Sequence, residues 1–228
     1  MPFICENCGR FNTGDINMRL ITVRNGCIFL MVFYTVGLLG FAFRSTRDLF
    51  TNLVSINILL SSALLFLYHQ DRNFKGFLIL LTIGLCGFLV EIVGVNTGLL
   101  FGNYSYGTNL GFKLAGTPLL IGLNWLVLIY CMMNTFDRIK YKWYFPFVGS
   151  AGMVIFDLVM EPVAVRIGMW EWENGSIPVS NYVTWFLVSL LMFSFLFFLR
   201  VDIKNSIARC LLLVQLVFFI GLNIILRY

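Results

Sequence analysis

The sequence predicts an all-α polytopic membrane protein of about seven spanning helices, and three observations carry that reading. Of 228 residues, 59% are hydrophobic and only 12% charged, a composition too apolar for a soluble domain to cover, so its solvent must be lipid. The apolar residues gather in seven runs of roughly spanning length, at 27–43, 50–68, 74–95, 118–136, 144–165, 182–200 and 207–226. These runs are continuous rather than alternating, which points to helices and away from a barrel, the two forms that satisfy their backbone in lipid.

Residues 1–26 read as a cytoplasmic N-terminal tail, and 27–228 as a single transmembrane helical domain with short connections. A cleavable signal peptide begins almost at once, whereas here a mostly polar stretch precedes the first run. Cys5-x-x-Cys8 in the tail has half the spacing of a zinc site but no second pair or histidine nearby; it reads as two free thiols. Cys27, Cys86, Cys131 and Cys210 fall within apolar runs and read as small packing residues. His69, the chain's one histidine, follows the second run and reads as interfacial. Histidine catalysis and multi-histidine metal sites are thereby excluded.

Orientation follows from lysine and arginine. On the N-terminal side of the runs lie Arg10, Arg19, Arg24, Arg72, Lys75, Arg138, Lys140, Lys142, Arg200, Lys204 and Arg209, against Arg44, Arg47, Lys113, Arg166 and Arg227 on the other. That bias predicts a multi-pass cell-membrane protein with its N-terminus cytoplasmic and its C-terminus outside. The net charge of +5 then reflects contact with anionic membrane lipid, and no nucleic-acid partner is expected.

The third and fifth runs each carry a glutamate inside apolar sequence, Glu91 and Glu161, and the residues after these two acids are alike. Each has valine, a small residue, valine and glycine at offsets 2, 3, 4 and 7, and then a spaced aromatic pair, Tyr104-x-Tyr106 or Trp170-x-Trp172. The chain re-enters at Pro118 or Pro178, with Trp125 or Trp185 seven residues on and an amide, Asn124 or Asn181, just before it. The third and fourth runs therefore read as a hairpin resembling the fifth and sixth. Both run outward and back, which makes them parallel pseudo-repeats about an axis along the membrane normal. The remaining runs would pack around this four-helix centre.

Within the runs the acids are Glu91, Asp157 and Glu161. At 1.5 Å per residue the glutamates lie roughly 6 Å inside the outer helix ends, Asn124 roughly 9 Å and Asp157 roughly 12 Å. Asp157 and Glu161 are four apart, hence on one helix face; the position equivalent to Asp157 in the first hairpin is Gly87. Intramembrane acids are costly and point to function, although a single one can simply bond across helices. No lysine or arginine shares their depth, and Arg166 at the helix mouth is nearest. Burial and mutual repulsion are expected to leave at least one acid protonated, which in an apolar pocket makes a proton donor. An ionised neighbour could hold or deprotonate a water. Trp125, Trp170, Trp172, Tyr104 and Tyr106 offer π faces to a cation, although aromatic residues at helix ends also form interfacial belts.

The motifs Glu91-x-x-Gly94-Val95-x-Thr97-Gly98, Phe101-Gly102-x-Tyr104-x-Tyr106-Gly107 and Gly111-x-Lys113-Leu114-x-Gly116-x-Pro118 belong together with Asp157-x-x-x-Glu161-Pro162 and Gly168-x-Trp170-x-Trp172. As a set, across about residues 75–200, they resemble the membrane-integral carotenoid hydratases. The resemblance implies a carotenoid 1,2-hydratase, which adds water to the terminal double bond of an acyclic carotenoid such as lycopene and needs no cofactor. Such a reaction needs a dry acid, tolerance of a tertiary cation and one placed water. On that reading Asp157 or Glu161 is the proton donor, Glu91 orients or deprotonates the water, and Asn124 holds it. Asn181 and Trp185 join the aromatic residues as substrate-binding. A lycopene cyclase-like enzyme shares the first step, and a carotenoid or lipid carrier could use the acids for proton coupling. A retinal protein is excluded, since 207–226 has no lysine for a Schiff base.

Overall fold

The computed structural model describes residues 22–70 and 74–227; the Cys5–Cys8 spacing lies outside them. Helices form on every apolar run: α1 (Val23–Ala42), the pair α2 (Arg47–Asn52) and α3 (Val54–Leu67), α4 (Phe74–Thr97), α5 (Leu119–Thr135), α6 (Phe145–Arg166), α7 (Val179–Phe198) and α8 (Ala208–Ile225). Thr22 caps α1, its hydroxyl accepting from the Asn25 amide at 3.2 Å. Pro118 and Pro178 stand just ahead of α5 and α7 in extended backbone, and neither needs an N–H there.

Among the described residues five helices are long and apolar enough to cross a membrane alone, or six crossings if the bent pair is one span. The expectation of about seven departs from this at two places. The second run bends by 55° between its two helices, because α2 is folded back onto the end of α1. Arg47 Nε donates to the Phe41 carbonyl at 2.9 Å, and the Phe50 ring covers Gly40 so closely that a Cβ there would lie 2.2 Å from it. The fourth run is a 17-residue helix, about 25 Å long at 1.5 Å per residue and so shorter than a hydrocarbon core of ~30 Å.

The strongest packing joins α4 to α5 and α6 to α7; α8 then closes against α1, α5 and α6. Small residues set these contacts. An added Cβ on Gly122 would sit 2.8 Å from the Gly84 carbonyl, and one on Gly149 would sit 2.9 Å from the Phe193 ring. The core centres on α5, with Trp125, Leu128, Tyr130 and Cys131 fully buried. Outward, Phe29, Val32, Leu191 and Val217 stay exposed, the apolar surface of a helical membrane protein.

Two small sheets depart from the all-helical expectation. β1 (Tyr104–Tyr106) pairs antiparallel with β4 (Trp170–Trp172), and β2 (Lys113–Leu114) with β3 (Thr117–Pro118). The Tyr-x-Tyr and Trp-x-Trp spacing is a period of two, the strand signal, here confined to three residues.

At the opposite end of the bundle, buried Asn205 fastens the α7–α8 connection. Its Nδ2 donates to the Leu65 carbonyl (2.6 Å) and the Tyr130 hydroxyl (3.0 Å), and its backbone amide donates to Asn134 Oδ1 (2.9 Å). Asn205→Ala removes the side-chain donors and strands buried acceptors. We expect a loss of about 1–3 kcal/mol, read as a lower Tm in detergent with the helical circular dichroism unchanged at low temperature.

Candidate active site

Glu91 lies near the end of α4, where Gly98 (φ +64) turns the chain out of the helix in a left-handed conformation. The chain then folds back, so that β1 runs beside the helix it has just left. Glu91 is buried and both its oxygens accept from donors, with room on Oε1 for one more. Its Oε2 accepts from the Tyr104 and Tyr106 hydroxyls at 2.5 and 2.7 Å, and its Oε1 from Trp125 Nε1 at 2.9 Å.

Glu161 holds the same place in α6, which Gly168 (φ +71) ends in the same way. Its Oε1 accepts from Trp170 Nε1 at 2.7 Å and Trp172 Nε1 at 2.6 Å. Its Oε2 has no hydrogen-bond partner among the described residues. The difference is chemical. Two oxygens that both accept suit a carboxylate, an acceptor only, whereas an oxygen with no donor on it lets a carboxylic acid present its O–H.

The two loops are held to each other by β1 and β4. Tyr104 pairs with Trp172 and Tyr106 with Trp170, about Ser105 opposite Glu171. The rings follow, with Tyr104 and Trp172 centroids 5.0 Å apart and Tyr106 and Trp170 5.8 Å apart. Deeper, Trp125 stacks on Trp185 at 4.2 Å and 18°. Tyr104, Tyr106, Trp125, Trp170 and Trp172 point inward, with their N–H and O–H groups on the acids, and not outward as an interfacial belt.

Asp157 is fully buried and stands behind Asn181. Its Oδ2 accepts from Asn181 Nδ2 at 2.8 Å, and its Oδ1 has no partner. It lines neither of the cavities that adjoin the glutamates. The Gly87 position in the other hairpin is closed to any such acid: a Cβ there would lie 2.5 Å from Trp125 Cβ. The ion pairs of Lys140 with Asp137 and Asp202, and of Lys204 with Asp202, involve none of the three acids; Arg166 turns away to Asn223 at 3.2 Å. The three acids are therefore held by neutral donors. No cluster of histidine, cysteine or carboxylate side chains able to hold a metal occurs among the described residues.

Two adjoining cavities complete the site. The smaller, about 20 Å³, is framed by Glu91, Glu161, Asn181, Asn124 and the rings of Tyr104, Tyr106, Trp125, Trp170, Trp172 and Trp185. Its size matches one water, which needs roughly 10–15 Å³ and two to four polar partners. The larger, about 380 Å³, is apolar and is enclosed by α1, the bent pair, α5, α6 and α8. Ile121, Asn124, Met160 and Trp170 wall both. The sequence reading therefore finds every polar member of the small cavity and misses Phe101, Ile121 and Met160; Ile121 and Met160 carry no signal as apolar residues in apolar runs, and Phe101 stands in a quoted motif without being singled out as a wall.

The family described as carotenoid biosynthesis protein matches residues 52–227. A bisanhydrobacterioruberin hydratase from Haloarcula japonica is 30% identical over 152 residues, covering 58% of this chain and 49% of that protein. The chain thus spans about half the length of that relative. No solved structure matches it. This chain belongs to the carotenoid biosynthesis protein family.

Gly107 keeps the two loops in register: its amide donates to the Met169 carbonyl at 2.8 Å, and a Cβ on it would sit 2.2 Å from the Gly168 carbonyl oxygen. Gly107→Ala must push backbone from backbone. We expect about 1–3 kcal/mol of destabilisation, read as a fall in Tm, together with changed tryptophan fluorescence as Trp170 and Trp172 leave Glu161.

Proposed function

Starting from that membership, we propose that the protein is a cofactor-independent carotenoid 1,2-hydratase acting on the terminal double bond of an acyclic carotenoid. One observation carries the reading: a water-sized polar cavity between two glutamates shares the walls Ile121, Asn124, Met160 and Trp170 with an apolar cavity of about 380 Å³, within the ~300–1,000 Å³ usual for ligand sites. The alkene end lies in the large cavity and the water in the small one.

Glu161 is the proton donor, because its Oε2 alone among the glutamate oxygens is free to hold an O–H. Its proton forms a C–H bond at the less substituted alkene carbon, and the π electrons leave a tertiary cation on the other. The face of Trp170, which walls both cavities, stabilises that charge. Water, held by Asn124 and Glu91, bonds to the cation through oxygen and gives its extra proton to Glu91. Return of that proton across the cavity to Glu161 restores the starting state, so the net change is one water added. Asp157 is a positioning residue, acting through Asn181.

The same reading treats the hairpins α4–α5 and α6–α7 as parallel pseudo-repeats. Matching Tyr104 to Trp170 and Tyr106 to Trp172 exchanges the two outer pairs of the β1–β4 register, as a two-fold axis would. With α5 crossing inside the bundle, the chain makes seven crossings. Residues 27–228 then form one domain in the cell membrane, with the N-terminal tail cytoplasmic and the C-terminus outside, in line with the lysine and arginine bias.

Coexpression in a lycopene-making host should add one water mass per reacted end. Unchanged mass with protein-bound carotenoid would indicate a carrier, and a cyclised product of unchanged mass a cyclase. Glu161→Gln should lower turnover about 10²–10⁴-fold, the usual contribution of a general acid, and Tyr104→Phe or Tyr106→Phe less. Full activity in both Glu161→Gln and Glu91→Gln would refute the acid mechanism.

A further inference from the structure

The larger cavity has a polar floor and an open side. At mid-depth the Tyr34 hydroxyl of α1 bonds Ser61 of α3 at 2.9 Å and accepts from Gln215 of α8 at 3.1 Å. All three are buried. Farther from the acids, Tyr68 donates to the Thr22 carbonyl at 3.0 Å and closes the same seam between α1 and α3. On the acid-bearing side the next links lie at the end of α1, Thr46 to the Gly40 carbonyl at 2.6 Å and Arg47 to the Phe41 carbonyl. Between these and the Tyr34–Ser61 bond, no hydrogen bond joins α1 to the bent pair among the described residues. Val36, Leu53 and Ile56 line the cavity along this stretch and are still 50%, 37% and 49% exposed. A wall residue with half its surface outside sits at a mouth. In a membrane this mouth faces acyl chains, and the 55° bend of the second run keeps it apart from α1.

Volume limits what can enter. A cavity of about 380 Å³ takes roughly a dozen water-sized heavy atoms at ~30 Å³ each, two or three isoprene units. A carotenoid is about as long as the hydrocarbon core is thick, ~30 Å. Most of the polyene must stay outside, and the hydrogen-bonded floor bars it from threading deeper.

We propose that the end group enters sideways from the bilayer between α1 and the α2–α3 pair while the rest of the polyene remains in lipid, so that the two ends of a carotenoid are hydrated in separate binding events. This rests on the hydratase reading above. Release between the two events makes the singly hydrated carotenoid a free product.

The test is a time course with purified protein in phospholipid vesicles and lycopene in large excess. Singly hydrated product should accumulate well beyond one equivalent of protein before doubly hydrated product rises after a lag. Doubly hydrated product without a lag, with singly hydrated product never exceeding the protein, would overturn the inference and leave the hydratase reading standing. Absence of any hydrated product would overturn both. Ile56→Trp, and Val36→Trp on the facing helix, narrow the mouth at exposed positions where the fold tolerates bulk. Each should raise KM about tenfold or more with kcat within about twofold. An unchanged KM in both variants would place the mouth elsewhere.

Discussion

Two carboxyl groups buried in an apolar bundle without a cation must be satisfied by neutral donors, and much of the site's architecture answers that demand. Five donors do so: the hydroxyls of Tyr104 and Tyr106 and the indoles of Trp125, Trp170 and Trp172. Four of the five come from loops that would otherwise lie at the bilayer surface. For those side chains to reach back to α4 and α6, each loop must reverse just past its helix. Gly98 and Gly168 make the reversal in left-handed backbone. The reversed segments then carry unpaired backbone groups to membrane depth, where such groups are costly. Pairing β1 with β4 settles that cost, and Gly107 leaves room for it.

The uneven distribution of donors gives the site its direction. Three on Glu91 and two on one oxygen of Glu161 make an acceptor of the first and leave the second an oxygen free for an acid proton. Aromatic donors add π faces at the place where positive charge would form. They also leave beside the acids a polar cavity of only about 20 Å³, so a cation formed next to it would meet one water and not bulk solvent. The lipid-facing cavity beside it supplies the opposite environment, apolar and large enough for an end group.

Much of this was legible in the sequence where costly residues recur at fixed spacing. Glu91 and Glu161 stand out because acids are rare in apolar runs, and their aromatic pairs stand out because each follows its glutamate and repeats the same aromatic-x-aromatic spacing. Composition alone separates a membrane helix bundle from a soluble domain. Which oxygen each indole or phenol meets was not legible, because that depends on a strand pairing between loops 66 residues apart. Asp157 shows the limit well. Four residues from Glu161, it shares its helix face, yet Asn181 of the neighbouring helix stands between it and the cavity, and helical spacing says nothing of a neighbour's rotamer. The bend of the second run was equally hidden. Its apolar sequence runs on through Leu53, and the fold-back is set by Arg47 and Phe50 gripping the end of α1.

The central claim is that a carboxylic acid protonates the alkene and solvent water traps the cation. Running the reaction in heavy water, and separately in water enriched in heavy oxygen, tests it most directly. Each reacted end should gain one carbon-bound deuterium and one oxygen from solvent. Deuterium without solvent oxygen would mean that an internal alkene traps the cation, and a product hydroxyl lacking the solvent label would contradict hydration altogether.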